Sequence, residues 1–292
     1  MAEKRHYNRL LRNVFRFALA SFLVASPLSS MKAESSVDPG TLSTRAMAVS
    51  GAYASIADDA SAFMTNPAGI SRHAEERKLF FGTRFYDGFK RWGLNAAVID
   101  GITEDPLHWG FKFDTTRTQE LQREFYSFAT SYSFKNVVLL GINHHFDVFR
   151  ETPLNQSKWL FALDAGVLIF ASDFISFGAA TTRFYRSKKD SSLAPFKYSA
   201  GASLNFRKFR AGADVERNQS ERRVVLKSGV EVQPVKFLMV RAGYFSDRTG
   251  NDRGYSLGMG VDPSERFRLD IAFLDHLKSS YKVFSGGFRL LI

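Results

Sequence analysis

Cysteine is absent from the 292-residue sequence, which excludes disulfides, cysteine-ligated metal sites and acylation as a lipoprotein. The apolar run from Phe17 to Leu28 is shorter than the roughly 20 residues that a helix needs to cross a bilayer. No glycine-rich loop of the Walker or dinucleotide-binding type occurs. His144 and His145 are adjacent on a predicted strand, so their imidazoles point to opposite faces and do not share a metal. We expect no cofactor, no metal and no catalytic residues.

Acidic residues are in short supply, with 29 against 40 basic ones and a net charge of +11. Residues 1–33 hold six basic groups and one acidic group, so the remainder carries 11 − 5 = +6. A basic chain can bind nucleic acid. No Lys/Arg block or zinc-ligand spacing accompanies the charge here, and we expect no nucleic-acid partner.

The N-terminal residues 1–33 have the order of a secretory signal peptide. A basic stretch that ends at Arg16 precedes the apolar run, and small residues follow it up to Ala33. Export is therefore predicted, with cleavage after Ala33; a cut near Ala25 and an uncleaved membrane anchor are the alternatives.

From Lys78 onward, apolar and polar residues alternate with the period of a β-strand. Soluble sandwiches alternate too, but these segments run for about 9–11 residues or more, the length of a tilted membrane strand. Aromatic residues stand at segment ends, and short and long connections alternate, as in outer-membrane barrels. Two of the short connections are predicted at Gln233-Pro234 and Asp262-Pro263. About fourteen segments can be counted, and the last alternates up to Ile292, like the signal that the outer-membrane insertion machinery binds.

The stretch Arg45 to Ile70 reads RAMAVSGAYASIADDASAFMTNPAGI. Its ADDA and NPAG elements, at this spacing, resemble the start of the mature chain in FadL-like outer-membrane proteins. That superfamily includes long-chain fatty-acid and aromatic-hydrocarbon channels and smaller PorV-like and spirochaete relatives. Ser50 stands where the family usually has a glycine. An ordinary Ala-rich helix followed by a turn is the alternative interpretation.

The resemblance implies an all-β fold: a transmembrane antiparallel β-barrel of about fourteen strands with an N-terminal plug, or hatch, in its lumen. The expected organisation is a signal peptide at 1–33, the hatch at 34–77 and the barrel at 78–292. The predicted hatch residues are Asp58, Asp59, Asn66, Pro67, Ala68 and Gly69. Arg84, Arg91 and Arg241 are the candidate partners of the two acids.

The strand face opposite the apolar one is predicted to line the lumen, and it is net basic. Cationic residues beside apolar ones suit an amphiphile, with its carboxylate on arginine and its tail on phenylalanine or leucine. The predicted ligand-binding residues are Arg84, Arg91, Lys112, Phe184, Phe237, Met239, Arg241 and Phe245. Alternatively, the charges pair across strands and the apolar side chains pack against the hatch.

The expected function is passive uptake of hydrophobic or amphipathic small molecules, such as long-chain fatty acids, across the bacterial outer membrane. The expected partners are membrane lipid, lipopolysaccharide, the insertion machinery and such a ligand. The rival function, also implied by the resemblance, is that of a non-channel accessory protein of PorV type, which binds exported proteins or surface partners. Short polar outer loops favour this rival.

Overall fold

The computed structural model describes residues 42–73, 77–87, 91–100, 106–117, 121–151, 156–187, 196–219, 222–249, 252–278 and 282–292. The predicted signal peptide, residues 1–33, lies outside the described residues. Within the described ranges, no helix has the length and apolar character to cross a bilayer.

Fourteen antiparallel strands form one closed barrel, in which each strand pairs with its neighbours in sequence and β1 pairs with β14. The predicted fold class and strand number are confirmed. The strands are β1 (Lys78–Tyr86), β2 (Arg91–Asp100), β3 (Leu107–Arg117), β4 (Leu121–Phe134), β5 (Val138–Glu151), β6 (Gln156–Ser172), β7 (Ile175–Arg186), β8 (Lys197–Phe206), β9 (Phe209–Asn218), β10 (Arg223–Val235), β11 (Leu238–Asp247), β12 (Arg253–Ser264), β13 (Phe267–His276) and β14 (Lys282–Leu291).

Closure of the barrel removes the exposed strand edges that an open sheet would present. Lys78 pairs with Leu291 and Tyr86 with Val283, so the whole of β1 is matched to β14. Phe81 and Phe288 stack across this seam with ring centroids 5.0 Å apart. Every wall strand thus has hydrogen-bonding neighbours on both sides, as a strand in hydrocarbon requires.

The two faces of the wall differ as the alternation predicts. The outward face carries large exposed hydrophobic side chains, among them Phe128, Leu140, Trp159, Phe177, Leu257 and Ile271. The inward face carries buried charged and polar side chains, among them Arg84, Lys112, Asn143, Asp164, Glu231 and Arg241. This is the pattern of a barrel that is apolar outside and polar inside.

Turns of two or three residues join most strands at one end of the barrel, here called the turn end, and connections of three or more residues join them at the other, the loop end. The exception at the turn end is the longer connection between Asp100 and Leu107. The predicted turns at Gln233-Pro234 and Asp262-Pro263 are wrong. Register shifts at Val232/Val235 and Val261/Ser264 place both prolines in irregularities inside β10 and β12, where a missing backbone donor is tolerated.

Residues 42–73 form the described part of the hatch and lie inside the barrel. They contain two short helices, α1 (Thr44–Ala48) and α2 (Ala62–Thr65), followed by a 3-10 helix at Pro67–His73. Met47, Tyr53 and Phe63 are fully buried and form one hydrophobic cluster with inward-facing wall residues. The core of this protein is therefore the hatch and the inner wall together.

We predict that Ile271→Arg, on the exposed outward face of β13, destabilises the membrane-inserted barrel by about 2–4 kcal/mol. Arginine at the middle of the wall would be placed in hydrocarbon. Leu277→Arg, just beyond the loop end of the same strand, is the matched control and should cost about 0–1 kcal/mol. Denaturant unfolding in lipid vesicles measures both, and equal costs would contradict the assigned outward face.

Candidate functional site

Hydrogen bonds within the hatch connect its own segments. The Ser43 hydroxyl caps α1 by accepting from Ala46 N at 3.1 Å, and it donates to Asp59 Oδ2 at 2.8 Å. The other Asp59 oxygen accepts from Ser61 N at 2.7 Å. Asp59 thus joins the beginning of the hatch to its middle, and burial raises the pKa of its carboxyl.

A balanced cluster of six charged side chains, the hatch ion network, connects the hatch to four wall strands. Its members are Arg45 and Asp58 of the hatch, Arg210 of β9, Glu231 of β10, Arg241 of β11 and Asp270 of β13. Three positive and three negative groups face one another, and all but Arg210 are buried. Buried charges are tolerated only with such pairing.

Glu231 is the centre of the network because it accepts from both the hatch and the wall. Its two carboxylate oxygens accept hydrogen bonds from Arg45 Nε and Arg45 Nη2, each at 2.7 Å. This bidentate geometry is the one in which a carboxylate binds guanidinium most strongly. It also accepts from Arg241 Nε at 2.6 Å, and Arg241 Nη1 reaches Asp270 at 2.6 Å. Burial alone would lower the pKa of Arg45, but Asp58 and Glu231 raise it well above its usual range.

Asp58 receives its hydrogen bonds from both sides of the hatch-wall boundary. Arg45 Nη1 lies 2.6 Å from Oδ1, Tyr53 Oη donates to the same oxygen at 2.8 Å, and Arg210 Nη1 lies 2.8 Å from Oδ2. The expectation that Arg84, Arg91 or Arg241 pairs with the hatch acids is wrong. The pairing cations are Arg45, from the hatch itself, and Arg210.

Polar wall side chains satisfy the irregular backbone of the hatch. Asp214 Oδ2 accepts from the backbone N–H groups of Tyr53 (2.6 Å) and Ala54 (2.7 Å). Asn143 donates to Phe63 O at 2.7 Å. In return, Asn66 of the hatch donates to Val167 O of the wall at 2.9 Å. Buried backbone groups outside regular structure need such partners.

Glycines on nine strands, here called the glycine belt, let the hatch approach the wall. A Cβ built on any of them would lie less than 3.0 Å from a hatch atom. The belt comprises Gly110, Gly141, Gly166, Gly178, Gly212, Gly229, Gly243, Gly258 and Gly287. At Gly229, for example, the added Cβ would stand 2.5 Å from the Val49 side chain. The hatch therefore occupies the space that inward side chains of the wall fill in other small barrels.

The predicted hatch residues Asp58, Asp59, Asn66, Pro67, Ala68 and Gly69 all lie inside the barrel. Ala68 O accepts from Ser131 at 2.8 Å, and Pro67 begins the 3-10 helix that packs on β4 and β5. Gly69 lies against Ala57 O, where no side chain fits.

Five of the predicted ligand-binding residues lie on the inner wall. Arg84, Lys112, Arg241 and Phe245 are fully buried there, and Met239 is half-buried. The cations are already engaged: Arg84 pairs with Asp114 at 2.6 Å and donates to Leu42 O at 3.1 Å, while Lys112 Nζ lies 3.7 Å from Asp114. Phe245 packs on His276 with ring centroids 4.7 Å apart.

Three predicted ligand-binding residues lie elsewhere. Arg91 faces inward but stands half-exposed at the loop end, paired with Asp87. Phe184 points outward and is 48% exposed, because a β-bulge with Arg183 at φ 58° shifts the alternation of β7. Phe237 is 58% exposed in the β10–β11 turn, since β10 continues past Pro234. The lumenal assignment of Phe184 and Phe237 is wrong.

A cavity of about 60 Å³ lies above the hatch on its loop-end side. Arg183, Lys197, Asp214, Glu216 and Lys227 supply its charged lining. Glu216 accepts from Lys227 Nζ at 2.7 Å and lies 3.2 Å from Lys197 Nζ. A volume of this size holds a few water molecules, whereas pockets for drug-sized ligands measure roughly 300–1,000 Å³.

Two residues that bind the hatch to the wall, Arg45 and Asp214, were not among the predicted site residues. Arg45 is the first residue of the stretch that carries the resemblance, but no pattern marks its side chain as the partner of Glu231. Asp214 stands two residues from Gly212 on the same face of β9, and an inward carboxylate beside an inward glycine is a signal for a backbone approaching the wall.

We predict that Glu231→Gln leaves Arg45 and Arg241 without their shared carboxylate and destabilises the folded protein by about 3–5 kcal/mol. Residues 45–70 should become accessible to protease while the barrel stays folded in detergent. The control is Arg77→Gln, which breaks an ion pair whose arginine side chain is 43% exposed and should cost about 1 kcal/mol or less. Equal unfolding midpoints for the two variants would remove the hatch ion network as an anchor.

A second prediction concerns the glycine belt. Gly243→Val puts a side chain 2.6 Å or less from Ser50 N, so the hatch must shift, at a cost of about 1–3 kcal/mol or more. Gly286→Val, on the outward face of β14 with nothing within 4 Å of its built Cβ, should be tolerated. Protease cleavage within 45–70 distinguishes them, and a hatch equally protected in both variants would contradict close packing at Gly243.

No protein-family model matches the chain, and no curated protein sequence matches it. Solved structures, in contrast, match its fold. The CymD monoaromatic hydrocarbon channel superposes with a TM-score of 0.67 at 11% identity, covering 86% of this chain and 97% of CymD. The Pseudomonas putida toluene transporter TodX gives 0.66 at 11% identity, covering 91% of this chain and 99% of TodX.

A Pseudomonas aeruginosa FadL homologue gives a TM-score of 0.62 at 11% identity and covers 85% of this chain and 98% of its own. At such identity the likeness establishes the fold. This chain therefore has the fourteen-stranded barrel fold of the FadL-like hydrocarbon channels over most of its length.

Proposed function

We propose that the chain is an outer-membrane channel for the passive uptake of hydrophobic or amphipathic small molecules, such as long-chain fatty acids. The observation that carries this proposal is the position of the hatch, which fills the lumen of a fourteen-stranded barrel through non-covalent contacts alone. A segment held in this way can move aside without breaking the wall.

The exposed apolar outer face supports placement in a bilayer, and the signal-peptide pattern of residues 1–33 supports export. Short turns face the periplasm and longer loops face outward in bacterial barrels, so the loop end is assigned to the cell surface. In this placement, membrane lipid and lipopolysaccharide surround the wall, and the insertion machinery delivers the chain.

The charge of the inner wall favours a ligand with an anionic end. Arg84, Lys112 and Arg241 each face a carboxylate of Asp114 or Asp270. When the hatch moves, a fatty-acid carboxylate can replace those contacts, with Met239 and Phe245 beside its tail. The loop-end cavity, with its two lysines around Glu216, is the proposed point of entry.

Two of the structures similar in fold are named for monoaromatic hydrocarbons or toluene, which carry no charge. Ion pairs of arginine or lysine with aspartate line the inner wall, and they offer an amphiphile an ionic contact that a neutral hydrocarbon cannot make. A carboxylate can exchange with one of these ionic partners, whereas a hydrocarbon cannot.

The second candidate is a non-channel accessory protein that binds exported proteins or surface partners. The observation that favours it is the close packing of the hatch in the lumen. The hatch contacts nine strands at the glycine belt, and the hatch ion network is charge-balanced. In this alternative the hatch is a permanent core and the loop end is a binding surface.

A reversible lock tests whether the hatch moves. The Ser50 and Ser256 hydroxyl oxygens lie 2.9 Å apart between the hatch and β12, so Ser50→Cys with Ser256→Cys places two thiols for a disulfide in a chain without other cysteines. In cells that lack their own channel, the oxidised double variant should take up labelled oleate at the background rate. Reductant should restore the uptake of the unsubstituted protein.

The control is Ser50→Cys alone, which should respond to neither oxidant nor reductant. The double substitution Asp58→Asn with Asp59→Asn should raise uptake, because it removes the acceptors of Arg45, Arg210 and Ser43. Oleate uptake that the lock leaves unchanged would contradict passage through a moving hatch. Background uptake in every variant would favour the accessory protein.

A further inference from the structure

An open groove crosses the outer face of the wall over β6, β7, β8 and β9, with a volume of about 600 Å³. Two rows of paired residues form its floor. Ala165, Thr181, Tyr198 and Arg217 are consecutive register partners in the row nearer the loop end, and Val167, Ala179, Ala200 and Val215 in the next. Most of the floor is therefore made by alanine, valine and threonine.

Large side chains surround this floor of small ones. Phe177 and Ile169, paired in the next row toward the turn end, are 48% and 41% exposed. On the loop-end side, the bulge in β7 turns Phe184 and Tyr185 outward, at 48% and 52% exposure. The groove is thus a bounded depression in a face that elsewhere presents large apolar residues.

Cations stand at the loop end of this depression. Arg217 belongs to the groove and is exposed at the end of β9, and Arg222 is exposed in the turn that follows. Among the described residues, no carboxylate forms an ion pair with either. Tyr198, the register partner of Arg217, adds a phenol of the kind found at membrane interfaces.

We propose that this groove binds one anionic lipid, with its phosphate on Arg217 and Arg222 and an acyl chain along Ala165, Ala179 and Ala200. The inference rests on the proposed placement of the wall in a membrane. In hydrocarbon, a depression of small side chains is filled by a lipid tail, since an empty space forfeits dispersion contacts. Two guanidinium groups that pair with no described carboxylate, at the loop end of the wall, select a phosphate over a neutral headgroup.

The acyl chain and the phosphate contact different residues, so each contact can be removed by its own substitution. Ala200→Trp fills the floor with an apolar side chain that a lipid-facing position accepts. Arg217→Gln removes the charge and leaves the groove open. Their matched controls are Val240→Trp, on the exposed outward face of β11, and Arg117→Gln, an exposed outward arginine at the loop end of β3.

Native mass spectrometry of detergent-purified protein, titrated with phosphatidylglycerol or with phosphatidylcholine of the same tails, measures retention. The unsubstituted protein should retain phosphatidylglycerol preferentially. Loss of the phosphate contact in Arg217→Gln should weaken this retention about tenfold, the effect of one charge-assisted hydrogen bond. Ala200→Trp should weaken retention of both lipids, and the two controls should match the unsubstituted protein.

Equal retention of the two lipids by the unsubstituted protein, or equal losses in a variant and its control, would overturn the lipid site. A dimer that Ala200→Trp converts to monomer, with lipid retention unchanged, would also overturn it, because a second copy of the chain would then occupy the groove. Oleate uptake by the unsubstituted protein separates this inference from the channel. Normal uptake by an unsubstituted protein that shows no lipid preference rejects the groove alone, and a lipid preference without oleate uptake rejects the channel alone.

Discussion

The bidentate contact between Arg45 and Glu231 is the interaction on which the interior of this barrel depends. It joins the hatch to the wall at 2.7 Å, and both side chains are buried. Removing either partner leaves an unpaired charge inside the protein. Because Arg45 and Glu231 also pair with other members of the network, the positions of Asp58, Arg210, Arg241 and Asp270 depend on this contact as well. The three cations and three carboxylates of the network make the interior locally neutral where the hatch meets the wall.

Charge balance alone would not hold in place a hatch of which about half of the described residues lie outside helices. Its backbone needs hydrogen-bond partners and room, and the wall supplies both. Asp214 accepts from the backbone at Tyr53 and Ala54, and Asn143 donates to Phe63 O in α2. The glycine belt removes the wall side chains that would keep the hatch away from the wall. The need for hydrogen-bond partners and the need for room explain why the inner wall combines acids, amides and glycines.

The fold was predictable because successive strand residues point to opposite faces, and a face in lipid requires apolar side chains at every second position. The predictions for single residues failed where a strand departs from this alternation. The bulge at Arg183 turned Phe184 outward, and Pro234 lies inside an irregular strand end where a turn was expected, which left Phe237 in the next turn. The partner of Asp58 could not be predicted either. Pairing between Arg45 and the wall depends on a hatch path that alternation does not describe.

The glycine belt has a consequence for how the protein assembles. The hatch lies against nine strands around the ring, and Thr44 bonds Ser285 of the last strand across 241 residues of sequence. This contact and the pairing of β1 with β14 both join residues that lie far apart in the sequence. Such long-range contacts form slowly, so we expect the hatch to reach its place in the same late, non-local step of folding that closes the barrel.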